Sequence, residues 1–120
     1  MARLTPVTSF LTALSWDFRA RYVVFEFKNF REKISQTEIF STEKYLYTAA
    51  LRPIAIIIAR NGVDKGGTKA MIGALREQGK LIICVTLAEL CALLRGYDKG
   101  DDPSNMLLEK LDSMLVSIGR

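Results

Sequence analysis

Residues 22–30 read YVVFEFKNF, and this stretch decides how the chain folds. It is rich in β-branched and aromatic residues and too short for an ordinary helix, so it predicts a β-strand. Side chains two positions apart on a strand project from the same face, so Glu26 and Lys28 should stand side by side. A buried pair of charges is costly unless the two groups pair or meet a metal or ligand. Two interpretations stay open: an ion pair on a solvated sheet face, or a site that does chemistry.

The segment after this strand has the pattern of an amphipathic helix. Over residues 34–51 apolar side chains recur at three- and four-residue spacing. Ser35 is a candidate N-cap with Glu38 at the matching third position, and the helix must end before Pro53. Further helices are predicted over residues 69–78, 87–94 and 104–118, and a weaker helical pattern covers residues 8–16.

Two more strands follow. Residues 54–60, IAIIIAR, and residues 81–86, LIICVT, have the aliphatic pattern of strands buried on both faces of a parallel sheet. Gly79 is placed to end the helix between them, and Thr86 with Glu89 to cap the helix after them. Strands that alternate with helices indicate right-handed βαβ units. We therefore predict an α/β fold with a small, mostly parallel sheet flanked by helices.

The composition bounds the class of protein. Residues 1–120 suffice for a single domain, and the 49% hydrophobic content argues against extensive disorder. No apolar run reaches the length of a bilayer span and the N-terminus lacks the order of a secretory signal, so we expect a cytoplasmic protein without membrane contact. A disulfide between Cys84 and Cys91 is not expected. The absence of histidine excludes Cys/His zinc sites, Ser-His-Asp triads and histidine-based nucleases.

The remaining chemistry must use carboxylates, lysines and hard cations. A metal-dependent phosphodiesterase needs a carboxylate to hold Mg²⁺ and a cation near the attacking water and the scissile phosphate. Glu26 and Lys28 have the residue types and the spacing for these two roles.

The charge distribution favours a nucleic-acid partner. The net charge is +4, and basic residues outnumber acidic ones over residues 1–35 but not over residues 98–120. A rim that contacts the DNA backbone is predicted beside the first strand, formed by Arg19, Arg21, Arg31 and Lys33. Such a rim gives salt-dependent, largely nonspecific binding. Ordinary solubilising charge is the alternative interpretation of these residues.

A glycine-rich connection, RNGVDKGGTK over residues 60–69, follows the second strand. It lies where open α/β sheets tend to bind ligands, so phosphate contact is conceivable. Its spacing does not match the Walker loop, and we interpret it as a solvated connection.

FEFKN on a strand, a helix that carries Gln36 and a buried aliphatic strand together resemble the restriction-endonuclease-like superfamily, whose shorthand is PD-(D/E)xK. The similarity covers residues 21–94. It implies a three-layer core, Mg²⁺-dependent hydrolysis of DNA phosphodiester bonds, and catalytic roles for Glu26 and Lys28. A Gln or Tyr on the next helix often shapes the site in such proteins, which implies roles for Gln36 and Tyr45.

The superfamily's first acidic residue lies on an earlier strand, within a β-hairpin, and binds the metal. Asp17 is the only acid before Glu26, so it is the candidate for a second metal ligand. The intervening FRARYVVF leaves little room for the usual turn between two long strands. We therefore expect the N-terminal hairpin to be missing.

Two functions stay open. The first is an Mg²⁺-dependent endonuclease in which Glu26 binds the metal and Lys28 orients the attacking water. The second is a noncatalytic DNA-binding or protein-assembly module derived from a nuclease. A sheet edge or apolar patch left by the missing strands favours self-association, so we expect a homo-oligomer, most simply a dimer.

Overall fold

A computed structural model describes residues 2–3, 22–47, 53–100 and 104–117. Its four strands are β1 (Ala2–Arg3), β2 (Tyr22–Lys28), β3 (Ile54–Ala59) and β4 (Leu81–Thr86). Its helices are α1 (Gln36–Glu43), α2 (Lys65–Gln78), α3 (Leu87–Asp98) and α4 (Ser104–Ser117). The strands lie in the order β1-β2-β3-β4, and β2, β3 and β4 are parallel neighbours. The predicted α/β fold with three adjacent parallel strands is confirmed.

The register of the parallel strands sorts their side chains onto two faces. Val23 of β2 aligns with Ile54 of β3, which aligns with Leu81 of β4. Glu26 of β2 aligns with Ile57 of β3, which aligns with Cys84 of β4. Because successive side chains alternate, these two rows lie on opposite faces of the sheet. We call the face with Glu26 the site face, and it carries Val24, Glu26, Lys28, Ala55, Ile57, Ala59, Ile82, Cys84 and Thr86.

Helices α1 and α2 cover the site face. Ile39 of α1 and Met71 of α2 are buried in one cluster with the apolar residues of β3 and β4. The opposite face of β3 and β4 packs chiefly against α4 through Leu111. Strands β3 and β4 are therefore buried on both faces, as their aliphatic sequences predict. Strand β2 differs, because Phe25 and Phe27 on its opposite face are 48% and 70% exposed.

Helix α1 begins two residues later than predicted. Ile34 does not open the helix, because it forms a parallel β-bridge to Val63 and is fully buried there. Ser35 is the N-cap, its side chain accepts a hydrogen bond from the backbone of the first turn, and Glu38 bonds back to the Ser35 N–H at 2.7 Å. The predicted capping box is therefore confirmed, and it fixes the start of the helix.

Helix α1 also ends earlier than predicted, at Glu43 instead of residue 51. Tyr45 N donates to Thr42 O and Leu46 N to Glu43 O, which tightens the chain into turns of the i→i+3 type. Leu46 is fully buried at this turn. Its apolar side chain continued the helical spacing in the sequence although the backbone had already left the helix. Residues 48–51 lie outside the described residues.

Helix α2 starts at Lys65, before the predicted range of residues 69–78. Asp64 caps it by accepting a hydrogen bond from the Gly67 N–H at 2.7 Å. A Cβ at Gly67 would collide with the Val63 side chain, so glycine permits the close approach of the helix to the chain beside it. Gly66 and Gly67 of the glycine-rich connection therefore belong to the first turn of a packed helix.

The remaining boundaries agree with prediction to within two residues, except that α3 is longer. Gly79 ends α2 in the left-handed conformation at φ 66°. Thr86 and Glu89 form the predicted capping box of α3, with both hydrogen bonds at 3.0 Å. Helix α3 continues past the predicted range of residues 87–94 to Asp98. Both cysteines are free, as expected. In the described ranges, no helix has the length and apolar character needed to cross a membrane.

A two-residue strand that the sequence did not predict pairs with β2. Strand β1 is antiparallel to β2, with Ala2 opposite Val23 and Arg3 opposite Tyr22. A two-residue segment is too short to show the side-chain alternation that marks a strand in a sequence. Its pairing is defined by backbone hydrogen bonds alone. The helix predicted over residues 8–16 lies outside the described residues.

Candidate functional site

Glu26 and Lys28 form an ion pair on the site face. Lys28 Nζ lies 3.2 Å from Glu26 Oε2, and the two side chains are only 20% and 22% exposed, Glu26 being the more buried. Their contact agrees with the two-residue spacing on β2. The pair is half-buried at the end of an apolar face, where its electrostatic interaction is stronger than at an open surface.

A third side chain, Thr42 of α1, reaches this pair. Its hydroxyl Oγ1 donates a hydrogen bond to Glu26 Oε2 at 3.1 Å, and Thr42 is 1% exposed. It is not among the site residues predicted from the sequence. The sequence contained a signal that could have predicted its burial. Thr42 lies between Ile39 and Leu46 at helical spacing and is the polar member of this buried stripe. A polar residue in such a stripe needs a partner, and Glu26 is that partner.

Both donors meet the same oxygen of the Glu26 carboxylate. Lys28 and Thr42 each contact Oε2, and the described part of the chain makes no hydrogen bond or ion pair to Oε1. One oxygen is therefore held by two side chains, and no partner of the other is found in the described part of the chain. An anionic oxygen is the kind of atom that hard cations such as Mg²⁺ prefer.

The charge of Lys28 also reaches the start of α1. Hydrogen bonds from Ser35 are the main reason that the pKa of Glu38 lies below its usual value, and the Lys28 charge lowers it further. Lys28 therefore has two carboxylates in its electrostatic range, those of Glu26 and Glu38.

A cavity of about 210 Å³ adjoins Lys28 at the carboxyl end of the sheet. It is lined by Phe27, Lys28, Asn29, Ile58, Arg60 and Leu87. The carboxyl ends of parallel strands are where α/β sheets commonly bind ligands. Arg60 brings a second cation to this edge, and its backbone N–H donates to Lys28 O at 3.2 Å. The sequence predicted Arg60 at the junction of a strand and the following connection, without linking it to Glu26 and Lys28.

Gln36 and Tyr45 lie apart from the ion pair. Gln36 is exposed at the first residue of α1 and lines a groove between α1 and α2 together with Phe40 and Lys69. Tyr45 follows α1 in a turn, with its side chain 60% exposed. Among described contacts, Glu26 is bonded only to Lys28 and Thr42.

Two of the four predicted DNA-contacting residues can be placed. Arg31 and Lys33 are exposed in the loop after β2. The Asn61 side chain donates to Arg31 O and ties this loop to the end of β3. Arg19 and Arg21 lie outside the described residues, and so does Asp17, the candidate second metal ligand.

The start of α2, within residues 60–69, is occupied by a protein carboxylate. Asp64 accepts the Gly67 N–H, and Thr68 Oγ1 donates to Asp64 O at 3.0 Å. A helix N-terminus attracts anions, but here the Asp64 side chain already takes that position. Phosphate contact at this turn is therefore disfavoured.

A second glutamate–lysine pair lies next to β4, the edge strand of the sheet. Lys110 Nζ of α4 is 2.9 Å from Glu89 Oε2, while Glu89 Oε1 accepts the Thr86 N–H. Burial raises the pKa of Glu89, but the hydrogen bond from Thr86 and the nearby Lys110 charge outweigh it, so the net pKa lies below the usual value. Both oxygens of Glu89 are engaged, in contrast to those of Glu26.

The donor set at Glu26 fits a hard cation but supplies one carboxylate. Oε1 of Glu26 is the oxygen that would bind it, and no cluster of three or more His, Cys, Asp or Glu side chains occurs in the ranges that the structure describes. Comparison of the chain with protein-family models, with curated proteins and with solved structures gave no match.

Proposed function

We propose that the protein is an endonuclease-like member of the restriction-endonuclease-like superfamily that hydrolyses DNA phosphodiester bonds with Mg²⁺. The observation that carries the proposal is the geometry of Glu26 and Lys28, which pair at 3.2 Å on a half-buried sheet face. The buried Thr42 hydroxyl donates to the same carboxylate and restrains it further. The carboxylate here is oriented, with one oxygen left for a ligand.

Each residue of the pair has a role in this proposal. Glu26 binds the cation through Oε1 and is kept in place through Oε2. A bound Mg²⁺ would supply a water of lowered pKa and charge stabilisation at the phosphate. Lys28 orients the attacking water and offsets negative charge that develops on the phosphate. Asp17 is the proposed further ligand from this chain.

The proposed DNA path runs over the carboxyl end of the sheet. Arg31 and Lys33 are exposed beside β2, and Arg60 borders the cavity next to Lys28. These cations can neutralise backbone phosphates on either side of the reacting one, as nucleic-acid surfaces do. Arg19 and Arg21 are proposed to extend the same rim.

The decisive experiment compares two matched variants in a plasmid-nicking assay with Mg²⁺. Glu26→Gln should lower the nicking rate by at least about 100-fold, because the amide cannot replace a carboxylate as a ligand of a hard cation. Glu89→Gln, made in the second glutamate–lysine pair, should keep the wild-type rate. Equal nicking by wild type and Glu26→Gln would identify a contaminating nuclease and end the proposal.

The same samples test the noncatalytic alternative. A DNA-binding or assembly module predicts DNA retention that is independent of Mg²⁺ and unchanged in Glu26→Gln, with no cleavage by the wild type. The nuclease proposal predicts Mg²⁺-dependent cleavage that is lost in this variant.

We also propose that the protein is a homo-oligomer, most simply a dimer. Phe25 and Phe27 expose large aromatic side chains on the face of β2 opposite to Glu26. Exposed apolar area of this kind favours association. Light scattering across a concentration series should give twice the monomer mass, and a monomer mass throughout would contradict the proposal.

A further inference from the structure

We infer that Thr42 is a positioning residue that fixes which oxygen of Glu26 faces the cation; this inference rests on the proposed function. The Thr42 hydroxyl and the Lys28 ammonium converge on Oε2, at 3.1 Å and 3.2 Å. The carboxylate is thereby held in one orientation, with Oε1 turned to the ligand. Thr42 acts through Glu26 and does not itself touch DNA or cation.

The position of Thr42 makes it a rigid donor. It is 1% exposed and sits in α1, which is anchored by the capping box at Ser35 and by buried Ile39. A threonine in a helix is restricted mainly to two χ1 rotamers, so its hydroxyl has few directions open to it. A buried hydroxyl without a partner is costly, and the bond to Glu26 satisfies it.

Lys28 alone cannot give the same control. The terminal torsion of a glutamate is broad and roughly two-fold, so its two oxygens exchange places easily. A lysine ammonium is a point charge on a flexible stem, and it follows whichever oxygen is near. A neutral hydroxyl on a buried helix selects one oxygen, and it remains when Lys28 turns toward a phosphate.

The first test needs no cation and no nuclease activity. Urea unfolding midpoints are measured for wild type, Thr42→Val, Glu26→Leu and the double variant. Valine keeps the shape of threonine and removes the donor, so Thr42→Val should lower the midpoint in the Glu26 background more than in the Glu26→Leu background. Equal shifts in both backgrounds would show that the two side chains are not coupled, and would overturn the inference.

The second test measures the affinity for Mn²⁺ by calorimetry or electron paramagnetic resonance. Loss of a group that orients a metal ligand commonly weakens binding by 10- to 100-fold. Thr42→Val should weaken Mn²⁺ binding by about tenfold, or about 1.4 kcal/mol. Thr42→Ser keeps the hydroxyl and should restore binding to within about twofold of wild type.

Thr37→Val is the control on the same helix, since Thr37 is exposed and its side chain does not reach Glu26. Its Mn²⁺ affinity should equal that of wild type. If Thr42→Val does not fold, Thr42→Ala is compared with Thr42→Ser in the same way.

The outcomes separate the two proposals. Absence of Mn²⁺ binding by wild type, or wild-type affinity in Glu26→Gln, overturns the proposed function and with it the role of Thr42. Binding that depends on Glu26 but is unchanged in Thr42→Val overturns the positioning role alone and leaves the proposed function standing.

Discussion

The two glutamate–lysine pairs of this protein have similar distances and similar burial, yet their carboxylates are used differently. Glu89 has Oε2 on Lys110 and Oε1 on the Thr86 N–H, so both oxygens are committed to the α3 cap. Glu26 has Lys28 and Thr42 on one oxygen, with no described partner on the other. The count of engaged oxygens, and not the presence of an ion pair, distinguishes a carboxylate that holds the fold from one that can bind a ligand.

The largest predicted difference is in activity. Lys28→Met should reduce Mg²⁺-dependent plasmid nicking by about 100-fold or more, because removal of one preorganised group that stabilises developing charge commonly costs that much. Lys110→Met, its counterpart in the second pair, should stay within about twofold of wild type. Initial nicking rates at saturating Mg²⁺ measure both. Comparable reductions in the two variants would mean that the pairs do not differ in role.

The next difference, in stability, runs in the opposite direction. Glu89→Ala removes the side chain that bonds the Thr86 N–H and the Lys110 ammonium, and loss of such a cap costs about 1 kcal/mol. Both substitutions are made in the Thr42→Val background, because Glu26→Ala alone would also leave the buried Thr42 hydroxyl without its partner. In that background Glu26→Ala removes a half-buried pair whose net contribution is about 0–1 kcal/mol, because desolvation offsets the attraction. Urea unfolding should therefore find Glu89→Ala the less stable of the two. The reverse order would show that Glu26 is the structural carboxylate.

The origin of these differences could be predicted from the sequence only in part. Two correct predictions depended on local geometry alone. They are the contact of Glu26 with Lys28, from their two-residue spacing, and the burial of β3 and β4, from their aliphatic sequences. Both capping boxes were equally readable, because the cap and its partner lie three residues apart in the chain.

What could not be predicted depends on contacts between distant segments. Thr42 meets Glu26 across sixteen positions, a contact that exists only once α1 packs on β2. The early end of α1 could not be predicted, because buried Leu46 continues the helical spacing of apolar residues beyond the helix. The start of α2 could not be predicted, because Gly67 indicated a connection in the sequence. In the structure this glycine lies in the helix and permits close packing against Val63.

A smaller effect concerns pH. The pKa of Glu89 is lowered in the folded protein, so its contribution to stability is fully present above the ordinary glutamate value of 4.5 and is lost as the pH falls through the lowered pKa. The difference in unfolding free energy between wild type and Glu89→Gln should be constant near neutral pH and shrink below about pH 4.5. Urea titrations from pH 3 to pH 7 measure it. A difference that grows toward low pH would have the wrong sign for a lowered pKa.

The smallest predicted effect compares the basic residues that follow β2 with one that follows α3. Each phosphate that a duplex-binding protein no longer neutralises lowers the slope of log affinity against log salt by about 0.9. Arg31→Ala and Lys33→Ala, beside β2, should each reduce the slope by about this amount, whereas Lys99→Ala, exposed beyond α3, should leave it unchanged. Fluorescence anisotropy with a labelled duplex, with Ca²⁺ in place of Mg²⁺ to slow cleavage, gives the slopes. Arg31 and Lys33 follow the strand that carries Glu26. Equal slopes for all three variants would therefore show that DNA does not bind beside the proposed catalytic residues.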